Sequence, residues 1–339
     1  MMRKPFLTAL VFAAASLLAT TSCSSEAAQS APEVHPTAAI TLYLDWHPCA
    51  QFAGFLTAFQ NGYYRAEGLD ITITPADEAM DPFALIAHTT NTIGISEADS
   101  LLSERAKGVD IRAFATMMQT TPFSLFTLKE SGLTTFKSLK GKRIGLYGDG
   151  RRAIDELINF NHMANNDVTL ADIPFSLDPL ITGQVDAMQG YTIDEGVRLK
   201  MQHHPVNTIS MADNGYVSYA EVLFASSALV HQHPETLVRF LRATRKGWEY
   251  AAAHQAETAT MIVAKYLPTS SFEEQSQSLA LTIPLLNAET HDHRFGQMQP
   301  ATWQKSFAMF QKYQAKDAKI APADLVDYSI LEKIDGKKP

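Results

Sequence analysis

One stretch, residues 42–55, constrains the fold more than any other part of the chain. It begins with apolar, β-prone residues that predict a buried strand, and Pro48 ends that strand because proline has no N–H for the sheet. A helix is expected from about Gln51, with aromatic and leucine side chains on one face. A strand–loop–helix unit places its loop at the carboxyl edge of an open α/β sheet, where ligands bind. The loop side chains Trp46, His47 and Gln51 suit recognition of a flat, polar ligand.

The composition indicates a globular chain that does not bind nucleic acid. At 339 residues, the chain is long enough for two domains with their own cores. Its formal net charge is −8, its charged fraction is 19%, and its basic residues form no cluster interleaved with aromatic ones. We therefore expect no nucleic-acid partner.

The N-terminal residues predict export. Residues 1–22 place two positive charges before a short apolar run at 6–18, which is the pattern of a signal peptide and is too short for an ordinary membrane span. Small residues then precede Cys23, which predicts a lipoprotein signal with an acylated Cys23; simple secretion is the alternative. Residues 23–38 are rich in serine, alanine and proline and predict a flexible tether.

Alternating strand and helix patterns predict two α/β lobes. We expect strands near residues 40–44, 70–74, 92–95, 111–118, 123–128, 144–147 and 221–225, and helices near 51–59, 83–88, 101–107, 153–163, 234–248, 258–266, 272–285 and 300–314. The segments 119–122 and 214–219 are candidate crossings between the lobes. Lobe I then comprises residues 39–121 and 220–339, and lobe II comprises residues 122–219.

Three carboxylates lie on loops that follow predicted strands. Glu97 either caps the next helix or contacts a ligand, and the sequence leaves both open. Asp149 lies in a glycine-containing loop before a helix; such a loop can bind an anion, but Asp149 argues against a phosphate and is itself a candidate cap. Glu195, close to Tyr191, can accept hydrogen bonds from a ligand amino group or protonated ring nitrogen, with a role at the helix N-terminus as the alternative.

Catalytic and metal chemistry have weaker support in the sequence. Cys49 would need an activating partner to act as a nucleophile, and a small loop residue is the simpler interpretation. If Cys23 is lipidated, the chain's two cysteines cannot form a disulfide within one chain. The adjacent His291, Asp292 and His293 lack the spacing of a helical histidine pair, so we expect no metal site.

Several motifs occur in the order found in one family of binding proteins. The sequence resembles the substrate-binding proteins of ABC importers, and within them the thiamine-pyrimidine-precursor-binding group, relatives of the eukaryotic pyrimidine synthase. The resemblance runs from about residue 40 to residue 314. The motifs are Leu44-Asp45-Trp46-His47-Pro48 with Gln51-Phe52-Ala53-Gly54, then residues 61–64 with 67–70, 139–145, 183–187, and 234–244 leading to 247–248.

This resemblance implies a periplasmic-binding-protein type II clam-shell, with two α/β lobes joined by two hinge crossings. It also implies that Trp46 and Glu195 lie in the cleft, since the family has an aromatic residue and a carboxylate there. Two departures from the pyrimidine binders are Cys49 and Phe52, where many of them have Asn and His. The 51–54 motif also occurs in relatives that look like riboflavin binders. The cysteine-rich motif of the synthases is absent from this sequence.

The leading hypothesis is a lipid-anchored, monomeric receptor that passes a thiamine pyrimidine precursor to an ABC permease and its ATPase. Riboflavin is the second choice of ligand, and nitrate, sulfonate or taurine is the third. A pyrimidine synthase-like enzyme, a hydrolase and a sensor lobe are the other classes. We expect no cofactor and no catalytic residues. The expected ligand-binding residues are Trp46, Gln51, Phe52, Glu97, Gln119, Tyr147, Asp149, Tyr191, Glu195 and Tyr219.

Overall fold

The structure, a computed structural model, describes residues 37–77, 80–147, 150–286, 295–315 and 320–335. The predicted signal, residues 23–36 of the predicted tether (Cys23 among them), Asp149 and the histidines at 291 and 293 lie outside the described residues. The last residue of the predicted tether, Ala38, instead begins the first strand. Within the described part, no helix is both long and apolar enough to cross a membrane.

The described strands form two separate five-stranded sheets. The strands are β1 (Ala38–Tyr43), β2 (Leu69–Thr74), β3 (Thr92–Ser96), β4 (Ile111–Met118), β5 (Phe123–Leu128), β6 (Arg143–Leu146), β7 (Thr169–Asp172), β8 (Ala187–Tyr191), β9 (Val206–Ser210) and β10 (Ala220–Ser226). The first sheet has the order β2-β1-β3-β10-β4, and the second has the order β7-β6-β8-β5-β9.

The two sheets share one topology. In the first, β1 pairs in parallel with β2 and β3, while β10 is antiparallel to β3 and β4. In the second, β6 pairs in parallel with β7 and β8, while β5 is antiparallel to β8 and β9. Each sheet therefore contains one strand that runs opposite to its neighbours, β10 in the first sheet and β5 in the second. Each of these is the first strand that the chain forms after it has passed over from the other sheet. We call the parts of the chain that carry the first and second sheet lobe I and lobe II.

Helices alternate with the strands, and after β10 the C-terminal part of lobe I is formed by helices. They are α1 (Ala53–Gln60), α2 (Tyr63–Ala66), α3 (Pro82–Ala87), α4 (Ala98–Ala106), α5 (Arg151–Phe160), α6 (Asp178–Ile181), α7 (Glu195–Met201), α8 (Ser227–Gln232), α9 (Pro234–Ala253), α10 (Gln255–Lys265), α11 (Phe272–Leu285), α12 (Pro300–Tyr313), α13 (Pro322–Leu325) and α14 (Ser329–Asp335). Most start and end within a few residues of the sequence expectation.

The core of lobe I depends on a close approach of α1 and α9. A methyl group on Gly247 would lie 2.0 Å from the carbonyl oxygen of Gly54, and one on Gly54 would lie 2.2 Å from the ring of Trp248. Glycine is required here because any side chain would separate the two helices. The contact fixes α1 against α9 and so fixes the end of the loop that leads from β1 into α1.

The chain passes between the sheets twice. Residues 119–122 connect β4 to β5, and residues 211–219 connect β9 to β10. The second segment contains a short 3₁₀ turn, Ala212–Asn214, and Gly215 at a φ of +100°. Both segments are short, so the loops that follow the strands of the two sheets lie close together.

Candidate functional site

A cavity of about 310 Å³ lies where loops from both lobes meet. Strands β1, β3, β6 and β8 all end at it, which is the carboxyl edge where ligands bind in open α/β sheets. The residues that follow them supply its polar and aromatic walls. The lining side chains used below are Asp45, Trp46, Gln51, Glu97, Tyr147, Phe175, Gln189, Tyr191, Asp194 and Glu195.

Three aromatic rings form one wall of the cavity. The ring centroids of Trp46, from lobe I, and Tyr147, from lobe II, are 6.2 Å apart with an interplanar angle of 21°. Phe175 packs edge-on against both, at 4.7 Å from Trp46 and 4.8 Å from Tyr147. Such a wall offers apolar contact area and ring faces to a flat ligand. His47 packs on Trp46 at a centroid distance of 5.0 Å, and burial lowers the pKa of its imidazole.

Glu195 is a buried carboxylate at the lobe II side of the cavity. Its Oε1 accepts a hydrogen bond from the Tyr147 hydroxyl at 2.5 Å, and its Oε2 accepts one from the backbone N–H of Tyr191 at 2.8 Å. Burial, and then the nearby Asp194, raise the pKa of Glu195 to about 7. Asp194 in turn accepts a hydrogen bond from the indole N–H of Trp46 at 3.1 Å, so the first lobe is tied to the second beside Glu195.

A second acidic group lies on the lobe I side. Oxygens of Asp45, Glu97 and Glu221 all lie within 4.8 Å of one another, close enough to surround one cation. The Tyr191 hydroxyl of lobe II donates a hydrogen bond to Glu97, and the Gln51 amide donates one to Glu221 at 2.6 Å. Burial, and then Asp45 and Glu97, raise the pKa of Glu221 well above its usual range.

The described lining of the cavity contains no lysine, arginine or histidine. The two arginines that begin α5 do not line the cavity either. Arg152 donates to the Ser100 hydroxyl at 2.5 Å and lies 3.7 Å from Asp99, while Arg151 is exposed. An anionic ligand would therefore meet carboxylates without a compensating charge, which is unfavourable.

Six of the ten expected site residues line this cavity. They are Trp46, Gln51, Glu97, Tyr147, Tyr191 and Glu195. The structure also decides between the two roles left open for Glu97, which occupies the N-cap of α4 but whose side chain makes no capping bond. Its side chain accepts from Tyr191 instead.

Three other expected residues do not line the cavity. Phe52 belongs to a 3₁₀ turn, Ala50–Phe52, and is fully buried in the core of lobe I, so its ring is not available for stacking. The Gln119 amide donates to the carbonyl of Gln297 at 2.8 Å. Tyr219 is fully buried, with its ring 5.8 Å from that of Trp303. Long-range packing of the C-terminal segment occupies both side chains, which the local sequence does not reveal.

The sequence reasoning missed four of the lining residues named above, Asp45, Asp194, Phe175 and Gln189, and also Glu221, which lies behind the lining beside Asp45 and Glu97. Asp45 and Asp194 each adjoin a residue that was chosen, so their place after a strand was a usable signal. Glu221 stands in an otherwise apolar strand, and an ionisable residue in such a strand is a signal of function that could have been read. Phe175 and Gln189 carry no comparable signal.

The described lining of the cavity contains no cysteine. Cys49 is buried, and burial raises the pKa of its thiol well above its usual range, so it is kept as the neutral, unreactive thiol. It does not line the cavity.

The family described as NMT1/THI5 like matches residues 49–258. Among curated proteins, the riboflavin-binding protein RibY of Chloroflexus aurantiacus is 26% identical over 88% of this chain and 87% of its own length. The formylaminopyrimidine-binding protein of Halalkalibacterium halodurans is 25% identical over 78% of this chain and 82% of its own length. The 4-amino-5-hydroxymethyl-2-methylpyrimidine phosphate synthase of Uromyces fabae is 28% identical, and the match covers 61% of this chain and 65% of that enzyme.

Solved structures resemble the fold at lower sequence identity. The alkanesulfonate-binding protein SsuA of Xanthomonas axonopodis pv. citri has a TM-score of 0.66 at 14% identity, covering 87% of this chain and 99% of that one. A Candida albicans protein described as having the generic periplasmic binding protein fold has a TM-score of 0.56 at 16% identity, covering 82% of this chain and 96% of that one. The architecture is therefore the two-lobed α/β clam-shell that the sequence predicted.

Proposed function

The chain belongs to the NMT1/THI5-like family, and from this membership and the geometry of its cavity we propose that it is the solute-binding component of an ABC importer that captures an aminopyrimidine. The observation that carries the proposal is one cavity with an aromatic wall, buried carboxylates and no cationic side chain among its described lining residues. Aromatic rings suit a flat heterocycle, and carboxylates accept hydrogen bonds from its amino groups and any protonated ring nitrogen.

Capture would couple binding to closure of the two lobes. The Trp46–Asp194 and Tyr191–Glu97 hydrogen bonds both join lobe I to lobe II at the cavity. A ligand that contacts both walls stabilises the closed state, in which these two hydrogen bonds exist, because only the closed state brings both walls within its reach. The hinges for this motion would be residues 119–122 and 211–219.

A binding role fits the site better than catalysis does. The related synthases are enzymes by name, and the resemblance noted above implies that such enzymes carry a cysteine-rich motif, which this sequence lacks. The described lining has no lysine, and Cys49 is a buried neutral thiol outside it. We therefore propose that the chain has no enzymatic activity of its own.

Riboflavin is the second candidate, supported by the RibY match over 88% of the chain. Isoalloxazine is also a flat ring system that could stack on the Trp46 wall. The cavity volume of about 310 Å³ is at the small end of the range of ligand pockets, roughly 300–1,000 Å³. This small volume favours the single ring of a pyrimidine over the three fused rings of isoalloxazine. Nitrate, sulfonate and taurine are disfavoured because the described lining offers no cationic side chain to balance a nitrate or sulfonate group.

The proposed setting is extracytoplasmic. Relatives named as binding proteins and solved binding proteins of import systems support this location. We further propose that an acylated Cys23 anchors the chain to the membrane and that residues 23–38 let the two lobes reach a permease. Mass spectrometry of the N-terminal peptide from exported protein tests the anchor, since a diacylglyceryl cysteine at position 23 is the expected result and an unmodified cysteine contradicts it.

Calorimetric titration of the purified chain tests the ligand class. We expect an aminopyrimidine to bind, and Trp46→Ala and Glu195→Ala each to weaken that binding at least about tenfold, since each removes contacts of roughly 1.5 kcal/mol or more. Glu249→Ala is the control, because its side chain is 67% exposed on α9. An alkanesulfonate that binds equally well to the parent chain and to Trp46→Ala would overturn the proposal.

A further inference from the structure

The acidic group on the lobe I side of the cavity is built around a buried carboxylate with an unused oxygen. Glu221 is 1% exposed, and its Oε2 has no hydrogen-bond partner among the described residues. Its other oxygen accepts from Gln51 at 2.6 Å. Asp45 and Glu97, the other two members, line the cavity itself. A buried acceptor left without a donor costs stability, so this one marks a place where a bound donor would be favoured.

A second buried acceptor, on the lobe II wall, is not directed at the ligand. Gln189 lines the cavity and is 5% exposed. Its Nε2 donates to the carbonyl of Tyr147 at 2.7 Å, while its Oε1 has no hydrogen-bond partner among the described residues. That oxygen lies against Gly150, where an added Cβ would be 1.7 Å away from it, so the acceptors that matter for a ligand are the carboxylates of lobe I.

We propose that Asp45, Glu97 and Glu221 bind a primary ammonium group carried on a short arm of the ring ligand. This inference rests on the proposed capture of an aminopyrimidine and specifies which members of that class are preferred. An ammonium group has three N–H donors and no acceptor, which matches three carboxylates that share one space.

The spacing of the three carboxylates agrees with this assignment. Their oxygens lie within 4.8 Å of one another, and a nitrogen equidistant from three oxygens at that limit would lie about 2.8 Å from each. That is the length of a charge-assisted N–H···O bond, roughly 2.7–2.9 Å. Calcium requires shorter bonds, about 2.3–2.6 Å, and six to eight oxygens. The neighbouring Gln51 Nε2 and Tyr191 hydroxyl are engaged as donors to this group and do not add metal ligands.

The charge balance favours the same occupant. Burial, and then the neighbouring Asp45 and Glu97, raise the pKa of Glu221, which means that the ionised carboxylate is unfavourable in the empty site. A cation placed among the three carboxylates would stabilise their ionised forms. The adjacent aromatic wall would at the same time hold the ring that carries the cation.

The test is calorimetric titration with three matched aminopyrimidines that differ only in the arm: aminomethyl, N-formylaminomethyl and hydroxymethyl. Only the first carries a positive charge on its arm at neutral pH. We expect it to bind about tenfold or more tightly than the other two, because charge-assisted bonds contribute roughly 1.5–3 kcal/mol. Glu221→Gln keeps the shape and the bond from Gln51, and we expect it to reduce this preference to about threefold or less.

The controls separate the possible failures. Glu249→Gln, at an exposed carboxylate, should leave the preference unchanged. Equal affinity for the three ligands, or an equal loss for all three in Glu221→Gln, would overturn the ammonium subsite and leave the aminopyrimidine function intact. Failure of all three to bind would overturn both. Calcium binding that is lost in Glu221→Gln would assign the carboxylates to a metal and also overturn the subsite. Thermal unfolding of Glu221→Gln checks that the variant is folded.

Discussion

Replacing Glu195 by glutamine should change how the stability of the empty protein depends on pH. Burial, and then Asp194, raise the pKa of Glu195 from 4.5 to about 7 in the folded state. Between pH 4.5 and about pH 7, the Glu195 carboxyl is protonated in the folded chain but ionised in the unfolded chain. The free energy of unfolding therefore falls as the pH rises through this window. The free-energy penalty for ionising the buried Glu195 carboxyl is largely absent at pH 4 and fully present above pH 7.

The magnitude follows from the two pKa values. Linkage gives a penalty of about 1 kcal/mol at pH 5 and about 3 kcal/mol at pH 8. Glutamine cannot ionise, so Glu195→Gln should gain roughly 2–3 kcal/mol relative to the parent between these two conditions. The amide can serve only one of the donors from Tyr147 and Tyr191 with its oxygen, which costs roughly 1–3 kcal/mol at every pH. The informative quantity is therefore how much the difference in free energy of unfolding between the variant and the parent changes from pH 5 to pH 8.

Urea unfolding of both proteins at pH 5.0 and pH 8.0 measures this quantity. The variant should be less stable than the parent at pH 5.0, and at pH 8.0 it should equal or exceed the parent. Asp213→Asn, at a position on the crossing segment away from the cavity lining, serves as a charge-matched control and should show parallel pH profiles. If Glu195→Gln also runs parallel to the parent within about 0.5 kcal/mol, Glu195 is not a buried proton-binding group and the electrostatic account of the cavity is wrong.

Three further predictions concern the cleft, the core and the thiol. Trp46→Phe keeps a ring but removes the N–H that bonds Asp194, so calorimetry should show a dissociation constant about tenfold higher; an unchanged constant would contradict a role of this bond in closure. Gly247→Ala places a methyl group 2.0 Å from a backbone oxygen of α1, and thermal unfolding should reveal a loss of about 1–3 kcal/mol, whereas full stability would refute the close-packing argument. Cys49 should react with a maleimide only after unfolding, as followed by peptide mass spectrometry, because it is buried and burial raises its pKa; rapid labelling of the folded chain would show that this thiol is accessible.

The architecture was predictable because local patterns carry it. Buried strands read as short apolar runs, and helices start at recognisable residues such as Pro234 and Pro300. Loops that follow parallel strands converge at one sheet edge. Residues chosen for that reason, among them Trp46, Glu97 and Glu195, do line the cavity.

Three of the expected residues, Phe52, Gln119 and Tyr219, lie away from the cavity lining because of tertiary packing. Phe52 follows the correct loop, but the 3₁₀ turn at Ala50–Phe52 places its ring in the core, and a helical pattern does not encode that rotation. Gln119 and Tyr219 lie in the crossings, where residues of the distant C-terminal segment take up their side chains. Such contacts depend on tertiary packing and not on neighbours in the sequence. Glu221 was missed for a local reason. It stands in an apolar strand, and the sequence pattern of such a strand predicts a position in the core.

The central claim is that the cavity captures a heteroaromatic amine. Mass spectrometry of small molecules released from the exported, freshly purified chain tests it most directly, with Trp46→Ala purified in parallel to identify molecules that depend on the cavity. Recovery of an aminopyrimidine from the parent chain and not from Trp46→Ala is the predicted result. Recovery of a sulfonate or nitrate in equal amounts from both proteins would contradict the account.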